Sequence, residues 1–328
     1  AGESDRVGQV LAHLAEACRI VGHLLAPVAP VGARRVAEQL GYEKDRGRFQ
    51  RVTFREITKG AVQSALENPG QLDLRKIEAT HPPLGRHFAE TLRTVLGELP
   101  GLPHVPELPA RGAHADMVGR SLAVVAALGA DLVPDGWRLT GSEASGVDHR
   151  RARSLLAQDL DTLEEQAQGY TGRLKVQVAG PWTLAATVER PRGDRILADR
   201  GGRRELAQAL ADGLREHIAD VRRRVPGAEV MVQVDEPALP AVLAGSVPTA
   251  SGFHRHRSVD DPAASPALEW VMAAVTESGA TPVVHRCAPD VPFALLAGAG
   301  SRGVSVDLAV LGVAAYDALA EVLESGRM

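Results

Sequence analysis

Glu229-Val-Met-Val-Gln-Val-Asp-Glu-Pro-Ala-Leu-Pro240 is the stretch on which the fold turns. Its opening residues, with Val230, Val232 and Val234 β-branched, suit a strand buried on both faces. The run then stops at two carboxylates and a proline. A buried apolar strand ending in Asp235-Glu236-Pro237 is a βα-loop pattern, and parallel α/β folds place their chemistry at such strand ends. The competing reading is that one of the two carboxylates only caps the helix that follows.

Working outward, the pattern repeats on both sides. Helical periodicity is expected over residues 88–99, 115–128, 148–168, 203–224, 266–277, 291–299 and 315–325. Between them lie short apolar runs at 104–109, 174–178, 281–285 and 303–308, with a hairpin or extended insertion at 132–140. Strands alternating with helices of this length mean βαβ units and a parallel sheet. No Gly-x-Gly-x-x-Gly opens a helix and no Gly-Lys-Ser/Thr loop occurs, so neither a dinucleotide fold nor a phosphate loop is supported. The expected fold class is α/β, a (β/α)8-type barrel, with an open doubly wound sheet as the alternative. Only five or six strands are countable beyond residue 100, fewer than a closed barrel requires.

Composition bounds the function. The chain has 328 residues, a formal net charge of −4 and only 3% aromatic residues, so its core must be built from Ala, Val and Leu. That charge argues against nucleic acid as a partner. Two cysteines far apart in sequence, Cys18 and Cys287, do not make a disulfide framework and fit a reducing, cytoplasmic setting. No run of about 18 apolar residues is present, so no membrane span is expected.

Residues 1–80 read differently. Helices are expected at 3–25, 31–40 and 58–68 and a short strand at 52–57. The basic residues Arg46, Arg48, Arg51, Arg55 and Lys59 read as a solvated polar segment, and His13 and His23 do not share a helix face well.

Two further strand ends carry candidate chemistry. In Val283-Val-His-Arg-Cys287, residues i and i+2 point to the same side, so His285 and Cys287 can aim at one point. Imidazole nitrogen and thiolate sulfur are natural zinc ligands, and a catalytic zinc takes three protein ligands with one position open. Asp307, ending Val304-Ser-Val-Asp307, is placed to be the third. Zinc would deprotonate a bound substrate thiol near neutral pH and make it a nucleophile. In Gln177-Val-Ala-Gly-Pro-Trp-Thr183, the Gly180-Pro181 turn is expected to expose Trp182 at the mouth, where its face could stack on a flat ring; the alternative is a core tryptophan.

His104-Val-Pro-Glu-Leu-Pro109, Gly180-Pro-Trp-Thr-Leu184, Gln233-Val-Asp-Glu-Pro-Ala-Leu239 and His285-Arg-Cys287 occur in this order. Together they resemble the C-terminal catalytic barrel of cobalamin-independent methionine synthase, a family related to uroporphyrinogen decarboxylase. The likeness covers about residues 88–327 and is closest to short, single-barrel members. The resemblance implies zinc-dependent transfer of a methyl group to the thiol of homocysteine or a related thiol. It implies His285, Cys287 and Asp307 as zinc ligands and Asp235 as the partner of the substrate ammonium. It places Asp235 and Glu236 in the catalytic set, and Glu107 and Trp182 beside the substrate. The methyl donor is left open between a methylfolate and a corrinoid.

The likeness also implies departures. The family's first strand end, an Ile-Gly-Ser type segment, is replaced by Glu78-Ala-Thr-His-Pro-Pro-Leu-Gly85. Its usual glutamate ligand is Asp307 here, and its Cys-Gly segment lies past Met328, so residues 81–328 are expected to form an incomplete barrel. Within residues 1–80, Ala17-Cys-Arg-Ile-Val-Gly-His-Leu-Leu-Ala-Pro-Val-Ala-Pro30 resembles the C-terminal region of methionyl-tRNA synthetase. Arg51-Val-Thr-Phe-Arg-Glu-Ile-Thr-Lys59 with Asn68-Pro-Gly and Leu72-Asp-Leu resembles an interior piece of bacterial type I DNA topoisomerase. Neither piece is long enough to carry its parent activity. Two alternatives stand beside methyl transfer. One is a metal-free porphyrinogen-type decarboxylase using Arg111, Arg120 and Arg286. The other is a rearranged, non-catalytic chain.

Overall fold

The computed structural model describes residues 87–141 and 144–326. The elements expected within residues 1–80 lie outside them. Helix α1 (Phe88–Glu98) buries Phe88, Leu92 and Val95, spaced four and three apart on one face. The next segment makes one parallel bridge, His104 to Lys175, with Val105 N–H donating to the Lys175 carbonyl at 3.0 Å. It goes no further as a strand because Pro103, Pro106 and Pro109 have no N–H to give a ladder. Asp116 then caps α2 (Met117–Val124), accepting from Gly119 N–H at 2.7 Å.

Strands β1 (Ala130–Val133) and β2 (Gly136–Leu139) form the expected hairpin, paired antiparallel around Pro134-Asp135. After α3 (Val147–Gln166) the chain enters the main sheet. Strands β3 (Gly172–Ala179), β4 (Ala228–Asp235), β5 (Thr281–Arg286) and β6 (Val304–Val306) lie side by side in sequence order, all parallel. Between them run α4 (Pro181–Thr187) and α5 (Arg200–Arg224), α6 (Leu239–Leu243) and α7 (Asp261–Glu277), and α8 (Phe293–Gly298); α9 (Val313–Glu324) follows β6. The mixed α/β class is as expected, with a four-stranded parallel sheet flanked by helices.

The sheet is two-faced. Leu174, Val176, Val178, Val230, Val232, Val234 and Val284 are buried on one side. Against them pack Leu206, Leu210, Leu214 and Ile218 of α5 and Leu268, Val271 and Val275 of α7. The other side carries Lys175, Gln177, Met231, Gln233, Val283 and His285, all half-buried. The expectation that β4 is buried on both faces is therefore corrected: period-2 alternation puts Met231 and Gln233 on a partly open, polar face.

Two elements arrive earlier or later than periodicity indicated. Helix α7 begins at Asp261, not 266, because Asp260 caps it by accepting from Ala263 N–H at 3.3 Å, and Pro266 is carried inside the helix. Helix α2 is shorter than expected, ending at Val124 where Ala126 N–H leaves to donate to the Ala209 carbonyl of α5 at 3.0 Å.

Candidate functional site

The C-terminal ends of β3, β4 and β5 bring the predicted motifs together. In register, Ala179 lies beside Asp235, Asp235 beside His285, and His285 beside Ser305. Asp235 and His285 are thus lateral neighbours, with Cys287 two residues further along the same face.

Cys287 Sγ lies 3.3 Å from His285 Nε2. Two ligand atoms on one tetrahedral zinc, at about 2.0 Å for nitrogen and 2.3 Å for sulfur, stand roughly 3.5 Å apart, so the pair has the spacing of a shared ion. The far ring nitrogen, His285 Nδ1, is 3.0 Å from Ser305 Oγ, which holds the ring in orientation. The thiol is exposed. Burial of its inner part pushes its pKa up, and the negative charges of Asp307 and Asp235 push the same way, partly offset by a hydrogen bond to the Asp307 backbone.

Asp307 does not complete the set. It is the capping residue of the turn at Leu308–Val310, and its Oδ1 accepts from Ala309 N–H at 2.9 Å. Among the described residues no group of three or more His, Cys, Asp or Glu converges on one point. The donor set present is a two-ligand His/Cys pair with two carboxylates, Asp307 and Asp235, close enough to act on it through charge.

Asp235 is 7% exposed and lies at the end of a chain of hydrogen bonds along the polar face. Lys175 Nζ donates to Gln233 Oε1 at 2.8 Å, and Gln233 Nε2 donates to Asp235 Oδ1 at 2.8 Å. Burial raises the Asp235 pKa, while Gln233, His285 and Lys175 oppose. Glu107 faces the same interior. Its Oε1 is buried and has no hydrogen-bond partner among the described residues. Burial lifts its pKa to about 7 against the charge of Arg120, with Asp235 and Asp116 adding to the rise. Gln177 is tied to the Val105 carbonyl at 2.7 Å.

Glu236 sits apart from this face. It is fully buried. Its Oε1 accepts from Trp182 N–H at 3.0 Å; its Oε2 accepts from Thr183 N–H at 2.8 Å and Thr183 Oγ1 at 2.7 Å. The carboxylate thereby satisfies the open N–H groups of the first turn of α4, and Gly180 is required beside it: a Cβ there would lie 2.3 Å from Glu236 Oε1. Burial lifts the Glu236 pKa to about 7 in spite of these donors. The expectation that one of these carboxylates caps the helix that follows is corrected: α6 has Ala238 at its N-cap and no side-chain cap, Glu236 holds the start of α4 instead, and Asp235 faces the polar side.

Trp182 corrects an expectation. It is 2% exposed, not displayed at the mouth. Its Nε1–H donates to the Ala264 carbonyl at 3.1 Å and the Arg203 guanidinium lies over its ring at 5.7 Å. A tryptophan on the first turn of a helix that packs under α7 has its face covered, so stacking on a ligand is ruled out in this arrangement.

The three arginines of the decarboxylase alternative do not form an open basic pocket. Arg111 binds Asp159 through two hydrogen bonds of 2.8 and 2.6 Å, and Arg120 binds the same carboxylate. Arg286 is 2% exposed, on the strand face opposite His285 and Cys287. Sequence reasoning passed over Lys175, Gln233, Thr183 and Ser305. Strict alternation of polar Lys175 and Gln177 with Leu174, Val176 and Val178 was a usable signal that β3 has a polar face.

No described helix is long and apolar enough to cross a membrane. No protein-family model and no curated protein matches the chain.

Proposed function

We propose that the chain transfers a methyl group to the thiol of homocysteine or a closely related amino-acid thiol, with zinc held at His285 and Cys287. The observation that carries this reading is the 3.3 Å contact between Cys287 Sγ and His285 Nε2 at the C-terminal end of a parallel strand. Zinc, when bound, would supply the Lewis acidity that makes a substrate thiol nucleophilic near neutral pH. The chain's own residues supply position. Ser305 keeps the His285 ring turned so that Nε2 faces the thiol. The Asp235 carboxylate, next to His285 in register, is placed to receive the substrate ammonium as a charge-assisted hydrogen bond. The bridge at His104 and the parallel order β3-β4-β5-β6 support reading the sheet as an arc of a (β/α)8 barrel, whose mouth would receive the methyl donor.

The test is zinc content of the full chain, washed with chelator and then dialysed against limiting zinc, beside Cys287→Ala and Asp307→Asn. Stoichiometric zinc in the wild type, lost in Cys287→Ala, is the expected result, followed by methylation of homocysteine. Asp307→Asn should weaken retention about 10- to 100-fold if the carboxylate leaves its cap to bind the ion. Folded wild-type protein without zinc would overturn the mechanism.

A further inference from the structure

The chain uses arginine almost wherever it needs a cation: among its 37 Lys and Arg residues the lysines are Lys44, Lys59, Lys76 and Lys175. Lys175 is therefore the single lysine of the described residues, and it lies on the polar face of the sheet rather than in solvent. Its ammonium does not meet a carboxylate directly. It donates to the Gln233 side-chain oxygen at 2.8 Å, reaching across β4 from one residue pair back, since Lys175 itself lies beside Met231.

We infer that Lys175 is a positioning residue for the amino-acid subsite, fixing the Gln233 amide so that Gln233 aims the Asp235 carboxylate. A lysine ammonium has donors only, so whatever faces it must accept. The Gln233 oxygen is thereby committed to Lys175, and the amide nitrogen must turn the other way, where it donates to Asp235 Oδ1 at 2.8 Å. The bond sequence runs in one direction, from cation through amide dipole to anion, and each member strengthens the next. It leaves Asp235 Oδ2 with no hydrogen bond among the described residues, on a carboxylate that is 7% exposed. A buried anion with one oxygen anchored and one open is built to accept one more donor. Gln177 cannot take over from Gln233, because its own amide nitrogen is held by the Val105 carbonyl. Arginine would not serve at 175. Its planar fork spreads several donors over a wide front, whereas the relay needs one compact charge on one oxygen.

The inference rests on the reading that Asp235 meets the substrate ammonium, and its test separates the two. Calorimetry on the zinc-loaded full chain would compare L-homocysteine with 4-sulfanylbutanoate, which lacks only the amino group. Wild type should favour homocysteine by about tenfold or more. Lys175→Met, close to lysine in length, and Gln233→Leu should each shrink that preference to within about threefold while leaving 4-sulfanylbutanoate affinity unchanged. A retained preference in either folded variant overturns the relay. In parallel, the Gln233 side-chain amide is assigned in 15N NMR spectra by its loss in Gln233→Leu. Its signals should move in Lys175→Met. If wild type binds both thiols equally, the assigned role of Asp235 fails; the amide then judges the relay alone, unmoved signals overturning it and moved signals supporting it. Should Lys175→Met not fold, the preference in Gln233→Leu decides.

Discussion

Glu236 has three donors and no exposed surface, and its job follows from that. Trp182 N–H, Thr183 N–H and Thr183 Oγ1 all point at its two oxygens. Glu236→Gln keeps the shape but swaps one acceptor for an amide nitrogen. Whichever way that amide turns, a donor of the α4 turn then faces another donor. The expected loss is ~1–3 kcal/mol in urea unfolding, the cost of leaving a buried group unsatisfied. A neutral result would mean that the carboxylate is not needed as an acceptor there. The two adjacent acids could not be sorted from sequence, because what separates them is strand alternation combined with the position of a helix start 54 residues earlier in the chain. The same holds for Trp182: its Gly-Pro neighbours announced a turn, but only the packing of α7, with the Ala264 carbonyl 3.1 Å from the indole nitrogen, hides the ring.

At the scale of elements, α5 meets the end of α2 so closely that backbone touches backbone. Ala126 N–H donates to the Ala209 carbonyl at 3.0 Å, which requires a notch in α5. Gly213, one turn on, supplies it: a Cβ there would lie 1.8 Å from the Val124 carbonyl oxygen. Replacing a helix-interior glycine by alanine ordinarily stabilises by about 1 kcal/mol. Gly213→Ala should reverse that sign and lower stability by ~1–3 kcal/mol as the helices are pushed apart. Thermal unfolding checks it; a stabilised variant would show that the two elements are not in contact. Long helices such as α3 and α5 were readable from periodicity. Short ones were legible only in part: α8 (Phe293–Gly298) falls within the expected 291–299, but α4 (Pro181–Thr187) and α6 (Leu239–Leu243) have too few residues to display a 3.6 period and were missed. The first turn of α4 is held by the distant Glu236 carboxylate, a contact that leaves no local pattern in residues 181–187.

For the whole molecule, burial of ionisable groups ties stability to pH. The segment after α1 carries two of them with opposite signs. His104 is pushed down to about 4 by burial and by the Lys175 charge, so its contribution rises as pH climbs from about 4 towards 6.5. Glu107 is pushed from 4.5 up to about 7, so the folded state holds its proton longer than the unfolded chain does. Stability attributable to Glu107 is therefore present below pH 4.5 and is lost as pH rises through about 7. Glu107→Gln cannot release that proton. The variant should gain on the wild type by roughly 3 kcal/mol between pH 4.5 and 7 and hold a constant difference above, as read from urea unfolding across pH. A pH-independent difference would place Glu107 in water.

The sequence by itself determined the class and the order of the parts. Apolar runs alternating with amphipathic helices can bury their faces only as βαβ units, because a strand apolar on one side must be covered by a helix that is apolar on one side. It also determined that His285 and Cys287 share a face, since a strand repeats every two residues. The tertiary structure alone decided which polar groups meet. Lys175 reaches Gln233 across 58 residues, Glu236 caps a turn 54 residues earlier, and Asp307 turns to its own Ala309 N–H. These pairings follow from sheet register and from the requirement that every buried donor and acceptor find a partner. That requirement is met between distant segments, so it leaves no local pattern to read.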